Sequence, residues 1–327
     1  MKKIKRWTAW AVAAAFALPS SAEEKATSNG YPYSQVPFTA VKVTPSTFWG
    51  DRIKAAREVT IPLAFSKCET QNRYSNFTKA AYTLQHPGHA GLQTKAYDVP
   101  TFMGFSFDDT DVYKTIEGAS YVLQTYPDKR LKSYIDSVIA IVGAAQEPDG
   151  YLNTARTINP DKPHSWAGKT RWSKEEVLSH ELYNLGHMVD AACAHYQATG
   201  KTNFLDIAKR YADCVVKEVG PRENQATVVP GHQIAEMALC RLYLITGEKK
   251  YLDEAKFLLD YRGKTKVRNH YSQSHQPVIE QKEAVGHAVR AGYMYAGMAD
   301  VAALTGDSAY INAIETICEN IISKKYY

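Results

Sequence analysis

The chain has 327 residues, 45% of them hydrophobic, 22% charged and 11% aromatic, a globular composition that excludes a disordered chain, a collagen-like chain or a small disulfide scaffold. The net charge is +5, and four of the basic residues, Lys2, Lys3, Lys5 and Arg6, sit in the first six positions. The remainder is close to neutral, which gives no bias toward nucleic acid or an anionic membrane surface.

Those four basic residues open a targeting segment. An apolar run from Thr8 to Leu18 follows, too short to span a bilayer, and then Pro19, Ser20, Ser21 and Ala22 before the polar Glu23. This order predicts a signal peptide at 1–22, cleavage after Ala22, a secreted or periplasmic chain from 23 to 327, and no membrane association after cleavage. Cys68, Cys193, Cys214, Cys240 and Cys318 show no CxxC spacing, and read as small buried hydrophobes.

Beyond the leader the apolar residues recur at helical spacing, and strand signals are nearly absent. Helices are predicted at about 50–70, interrupted near Pro62, then 109–125, 128–146, 173–198, 202–218, 231–245, 248–261, 282–304 and 307–323. The fourth starts with Ser173 and Glu176 in the pattern of a capping box. Long irregular stretches fall at 147–172, holding Trp166 and Trp172, and at 262–281, holding Arg262, Tyr271 and His275.

Three stretches share a start: Thr199-Gly-Lys-Thr-Asn-Phe-Leu, Thr246-Gly-Glu-Lys-Lys-Tyr-Leu and Thr305-Gly-Asp-Ser-Ala-Tyr-Ile. A weaker copy begins Tyr126-Pro-Asp. Glycine after a helix enters the left-handed C-cap cheaply, so each Thr-Gly closes one helix before another opens. The repeats are the size of helical hairpins, which stack as a solenoid or close as an α/α toroid. Both long irregular stretches then lie at one end of the hairpins.

Histidines mark that end. His180 and His187 share one face of the fourth helix, His232 opens the sixth, and His287 stands near the start of the eighth. If these alternate helices form an inner ring, His180, His232 and His287 converge at its mouth. A satisfied interior role is open for each, and a triple-histidine metal site is open for the set. A zinc-protease HExxH is excluded because Asn184 stands where the second histidine belongs. No phosphate loop, dinucleotide fingerprint or Gly-x-Ser-x-Gly elbow occurs. Asp108, Asp109, Asp111 and Glu117 open the second helix; Asp108 or Asp109 suits the N-cap, and paired carboxylates suit glycoside cleavage. Asp109 and Trp166 are weaker candidates for the same rim.

Five stretches together resemble glycoside hydrolase family 127, formerly domain of unknown function 1680. They are Asp109-Thr-Asp-Val-Tyr-Lys-Thr-Ile-Glu-Gly-Ala-Ser, Gln146-Glu-Pro-Asp-Gly-Tyr-Leu-Asn-Thr, His180-Glu-Leu-Tyr-Asn-Leu-Gly-His, Pro230-Gly-His-Gln-Ile-Ala-Glu and Glu283-Ala-Val-Gly-His-Ala-Val-Arg-Ala. The match runs from about residue 40 to the C-terminus. The resemblance implies an all-α (α/α)6 barrel, β-L-arabinofuranosidase activity on an oligosaccharide or polysaccharide of plant origin, and sugar-hydroxyl contacts from His180, His232 and His287. It also implies a glutamate acid/base and a zinc held by a glutamate and three cysteines, one of them the nucleophile, all beyond Tyr327. About nine of twelve helices are then expected here, with the missing C-terminal part of the enzyme as partner and neither catalytic residues nor metal ligands in this chain. The rivals are a noncatalytic glycan-binding helical-repeat protein and a polysaccharide lyase on an α/α toroid.

On this reading the chain from residue 23 does not hydrolyse arabinofuranosides, and the uncovered flanks of its first and last helices make it prone to aggregate. Turnover that survives a chelator, or a soluble monomer that melts cooperatively, would overturn it.

Overall fold

A computed structural model describes residues 36–87 and 101–325. The expected signal segment 1–22 lies outside the described residues. Among those that are described, no helix is long and apolar enough to cross a membrane.

The chain builds helical hairpins in two layers. A first inner helix runs as α1 (Phe48–Ala55), a π-helical turn (Ala56–Thr60) and α2 (Ile61–Thr70), and α3 (Arg73–Gln85) returns outside it. The pattern continues as α4 (Asp109–Thr125) with α5 (Lys129–Ala144), α7 (Glu181–Thr199) with α8 (Asn203–Glu218), α9 (Ala235–Thr246) with α10 (Lys249–Tyr261), and α11 (Ala288–Thr305) with α12 (Ser308–Lys324). One short turn, α6 (Thr154–Thr157), lies in the connection after α5. The inner helices α2, α4, α7, α9 and α11 pack each on the next, while α3, α5, α8 and α10 line the outside. No strand forms among the described residues beyond an isolated bridge from Val219 to Ala226.

The repeated Thr-Gly makes the same turn three times. Gly200, Gly247 and Gly306 all adopt φ near +70°, at 71°, 72° and 68°. Each preceding threonine donates its hydroxyl four residues back, Thr199 to His195 O (2.6 Å), Thr246 to Leu242 O (2.8 Å) and Thr305 to Val301 O (2.6 Å). The same hydroxyls accept the N–H two residues on, from Lys201, Glu248 and Asp307. Helix ends therefore leave few orphan carbonyls, and reversal takes only a few residues. The weaker copy turns by other means: Asp128 Oδ1 caps Arg130 N (2.8 Å) and Leu131 N (3.1 Å).

Outer helices bury one face. In α8, Phe204, Leu205, Ala208, Tyr211, Ala212 and Val215 are buried at i, i+4 and i+7 spacing, as expected of an amphipathic helix. Helix α7 is instead buried along most of its length, from Leu182 and Leu185 through Met188, Val189 and Ala192. It is the centre of the wall.

Two sequence expectations change, and one is located. The nine-helix count omitted α3, whose Tyr74, Phe77, Ala80 and Ala81 face the core. The interruption expected near Pro62 is the π-helical turn Ala56–Thr60 just before it: the backbone stays helical through Thr60 and Ile61, and the proline, which has no N–H for the carbonyls of that turn, follows where the regular ladder is broken. Finally, α7, α9 and α11 begin at residues 181, 235 and 288 rather than 173, 231 and 282. The Ser173–Glu176 capping box does not form, because Ser173 donates to Thr170 O (2.7 Å) and Glu176 accepts from Val267 N (3.4 Å).

Inner helices approach closely at glycine. A Cβ on Gly186 of α7 would stand 2.6 Å from Ile234 Cγ2 and 2.8 Å from the Ala235 backbone nitrogen. Helix propensity alone favours Gly→Ala by roughly 0.5–1 kcal/mol. Here overpacking reverses the sign, and Gly186→Ala is expected to lower stability by about 1–3 kcal/mol in urea denaturation. A stabilised variant would show that α7 and α9 do not meet this tightly.

Candidate functional site

The late helix starts have a common cause: buried polar groups hold the preceding residues in extended or turn conformations. Ahead of α9, fully buried Arg262 donates to Pro230 O (2.7 Å), Ser272 O (3.0 Å) and Glu236 Oε1 (3.3 Å). Ahead of α11, buried Gln273 donates to Val285 O (2.8 Å) and His287 O (3.2 Å). Ahead of α7, Glu175 and Glu181 take over the backbone and hydroxyl donors of 172–181.

The three histidines stand at these starts, and the fold brings them together. The rings of His180 and His232 are 6.3 Å apart, and those of His232 and His287 5.8 Å. Tyr183 packs against His232 (4.5 Å), and Tyr293 lies 6.2 Å from it. Tyr271, from the 262–281 stretch, meets His287 edge-on (5.3 Å) and carries the Arg290 guanidinium over its face (4.6 Å). On the other side Phe107 contacts His180 (5.1 Å) and Trp166 (6.4 Å), so Trp166 of the 147–172 stretch reaches the edge of the arc. Phe105 lies parallel to Phe107 at 5.4 Å and is half exposed.

Asp109 is placed elsewhere. It is buried, and accepts from Thr154 N (2.9 Å) and Thr154 Oγ1 (2.5 Å), tying α4 to α6. Burial pushes its carboxyl up to about 7. It is a tie between helices and not part of the rim, since both of its oxygens are spent on Thr154. Asp108 holds the N-cap position, but its Oδ2 accepts from Phe105 N (2.8 Å) and pairs with Arg73 (3.0 Å), so neither aspartate caps α4 through its side chain. Glu117 lies further down the inner wall beside Asp190, and burial followed by the Asp190 charge raises it to about 7.

Each imidazole has a defined polarity. His180 Nδ1 lies 2.5 Å from Leu178 O, and His232 Nδ1 lies 3.0 Å from Gln233 O. A carbonyl only accepts, so both Nδ1 atoms carry the hydrogen and both Nε2 atoms offer a lone pair. His287 Nδ1 instead accepts the Arg290 N–H (3.3 Å) as N-cap of α11, which leaves Nε2–H as a donor. Burial lowers the basicity of His180, and lowers that of His232 to about 4. The arc thus presents two acceptors and one donor among aromatic faces, a set that can meet hydroxyl groups.

Sequence reasoning missed Tyr293, Phe105 and Phe107 as members. Tyr293 follows the N-cap His287 by six residues, a spacing that does not put two positions on one helix face, so periodicity gave no signal for it. The two phenylalanines precede α4 in a segment with no periodic pattern.

Two-layered α/α hairpins ending in a mouth of imidazoles and aromatic rings define a toroid-type protein. The chain belongs to the β-L-arabinofuranosidase GH127 catalytic domain family, whose model matches residues 40–327. It is 38% identical over 247 residues to a non-reducing end β-L-arabinofuranosidase of Bifidobacterium longum, covering 69% of this chain and 37% of that protein. A solved GH127 β-arabinofuranosidase is 66% identical and superposes with a TM-score of 0.83 over 91% of this chain and 45% of its own. A GH127 β-L-arabinofuranosidase from Geobacillus stearothermophilus T6 is 36% identical, with a TM-score of 0.77 over 88% of this chain and 46% of its own. The chain therefore spans less than half the length of these relatives.

The zinc implied by the resemblance does not fit the residues described. Cys68, Cys193, Cys214 and Cys240 are buried, Cys318 is exposed, and none pairs. Among the described residues only Asp149, Cys214 and Glu218 could share an ion. The Arg171 guanidinium already fills that place, at 2.7 Å from Asp149, 2.8 Å from Glu218 and 3.9 Å from Cys214 Sγ, and burial holds the Cys214 thiol up at about 12. His180, His232 and His287 do not converge on one ion either, because their nitrogens do not come close enough to share it.

A base held at about 4 in the folded state against 6.5 unfolded makes stability fall with acid, because between these values the unfolded chain binds the proton first. The His232 Cε1–H resonance is expected to titrate near pH 4, and the denaturation midpoint to drop as pH falls from 7 to 4. Titration near 6.5 would mean that the imidazole is solvated.

Proposed function

We propose that the histidine arc binds a neutral furanosyl sugar at the non-reducing end of a plant-derived glycan, and that the chain serves a glycoside hydrolase of the β-L-arabinofuranosidase type. The observation that carries this reading is the convergence of His180, His232 and His287, two with Nε2 as acceptor and one with Nε2–H as donor, within one aromatic frame. Sugar hydroxyls both donate and accept, so such a set orients a ring that aromatic faces such as Trp166 and Tyr271 then cover. Family membership supports the choice of an arabinofuranosyl group, and the names of the relatives support the non-reducing end.

The hydrolytic step is proposed for the whole family architecture. The leader pattern at 1–22 supports export, and we propose 23–327 as the N-terminal part of the catalytic domain acting in a secreted or periplasmic setting.

Titration calorimetry of the full chain with methyl β-L-arabinofuranoside tests the reading. His180→Ala, His232→Ala and His287→Ala are each expected to weaken binding about 3- to 10-fold, the worth of one neutral hydrogen bond. Binding of uronate oligomers in place of the arabinoside would favour the lyase reading and overturn this one.

A further inference from the structure

His180 is the one imidazole of the arc whose own backbone is strained. Its φ is 58° and ψ 29°, the left-handed region that side chains other than glycine enter at a cost. Something must hold it there, and its two neighbours in sequence are both anchored by the same pair of carboxylates. Ser179 Oγ lies 2.7 Å from Glu181 Oε2 and 2.9 Å from Glu175 Oε2. The Glu181 N–H donates to Glu175 Oε2 at 2.7 Å. The Glu181 carboxylate is itself pinned by the Tyr151 hydroxyl (2.6 Å) and by the Trp172 N–H, which reaches both of its oxygens (3.1 and 3.0 Å). With residues 179 and 181 fixed, the dihedrals of residue 180 are fixed as well, and the 2.5 Å contact from His180 Nδ1 to Leu178 O then sets the ring.

The hydrogens do not balance if both glutamates are ionised. One serine hydroxyl has one proton to give, yet its oxygen stands within hydrogen-bond distance of two carboxylates. Either contact can be Ser179 donating; the other needs a proton on the carboxyl side. Glu181 is the ionised member, since donors from Tyr151, Trp172 and Ser179 meet both of its oxygens. Glu175 is the acid: its Oε1 is buried with no partner among the described residues, a place where a full charge would be left bare.

We propose that Glu175 and Glu181 share a single proton across the Ser179 hydroxyl, and that this buried dyad is the positioning device that holds His180 in its left-handed conformation with its imidazole in the arc. Burial raises both carboxyls, and the Glu181 charge raises Glu175 further. The cation acting on Glu181 is Arg156, whose guanidinium is spent on Gly168 O (3.0 Å) and Lys169 O (2.8 Å). Neither glutamate touches the arc, so both act through His180. The consequence for sugar contact rests on the glycan reading above; the proton and the backbone geometry do not.

The test uses the full chain at pH 7. Difference infrared spectroscopy is expected to show a protonated-carboxyl C=O stretch that Glu175→Gln removes, while the His180 Nδ1–H proton resonance, identified by its loss in His180→Gln, stays in place. That resonance is expected to move in Glu181→Gln and in Ser179→Ala, the milder variant that keeps both carboxyls. Affinity for methyl β-L-arabinofuranoside is expected to fall in Ser179→Ala by no more than the roughly 3- to 10-fold of His180→Ala, with the fold intact. An infrared difference without a lost acid band overturns the shared proton, and an unmoved His180 resonance in Ser179→Ala overturns the positioning role. If the wild-type chain binds no arabinoside, the glycan reading fails, and the two spectra still decide the dyad.

Discussion

Arg262 carries the largest fully buried side chain among the described residues, and much of the site depends on its guanidinium being satisfied. It pairs with Glu236, which is equally buried, and donates to two backbone carbonyls, Pro230 O and Ser272 O. Burial makes this arginine less basic than usual. A buried ion pair contributes little to net stability against an apolar equivalent, but losing one partner leaves a charge bare. What the pair does specify is geometry. The approach to α9 with its first turn, 32 and 26 residues before Arg262, must meet the 262–281 stretch at one planar group.

The other inner helices follow the same logic with different residues. A helix leaves its first N–H groups without internal partners, and a helix that starts at a buried place must find them elsewhere. Here Glu175 accepts the Glu181 N–H at α7, Glu236 accepts the Ile234 N–H ahead of α9 (3.2 Å) and the His287 side chain accepts the Arg290 N–H at α11, while Arg262 and Gln273 serve the carbonyls beside them. At α7, α9 and α11 the device costs a turn or more of regular helix. Each also leaves an irregular stretch from which a side chain projects into the mouth.

Function then emerges from what those devices do to the histidines. Backbone carbonyls at Leu178 and Gln233 choose the tautomers of His180 and His232, while the Arg290 N–H chooses that of His287. Burial keeps the first two neutral. Arg171 plays a parallel role outside the mouth: it gathers Glu147, Asp149 and Glu218 and stacks on Tyr151, closing the base of the stretch that carries Trp166. The same arginine occupies the one place among the described residues where three metal-type ligands converge.

Helical class, hairpin repeats and the shared end for His180, His232 and His287 were legible in the sequence because they depend on local rules. Apolar residues at helical spacing, a Thr-Gly that closes a helix, and a fixed phase between histidine and helix start need only neighbours along the chain. Helix α3 was equally legible in principle, since Tyr74, Phe77 and Ala81 keep the period. What the sequence could not show is where α7, α9 and α11 begin, or that Asp109 faces Thr154 rather than the rim. Local signals at Ser173 and Glu176 favoured a capping box. The tertiary structure overruled them because Glu175 and Glu181 had buried donors to satisfy, and leaving a buried polar group unpaired costs more than a turn of helix gains. At other starts the partners lie further off, 32 residues between Pro230 and Arg262 and 45 between Asp109 and Thr154, so only the folded chain decided them.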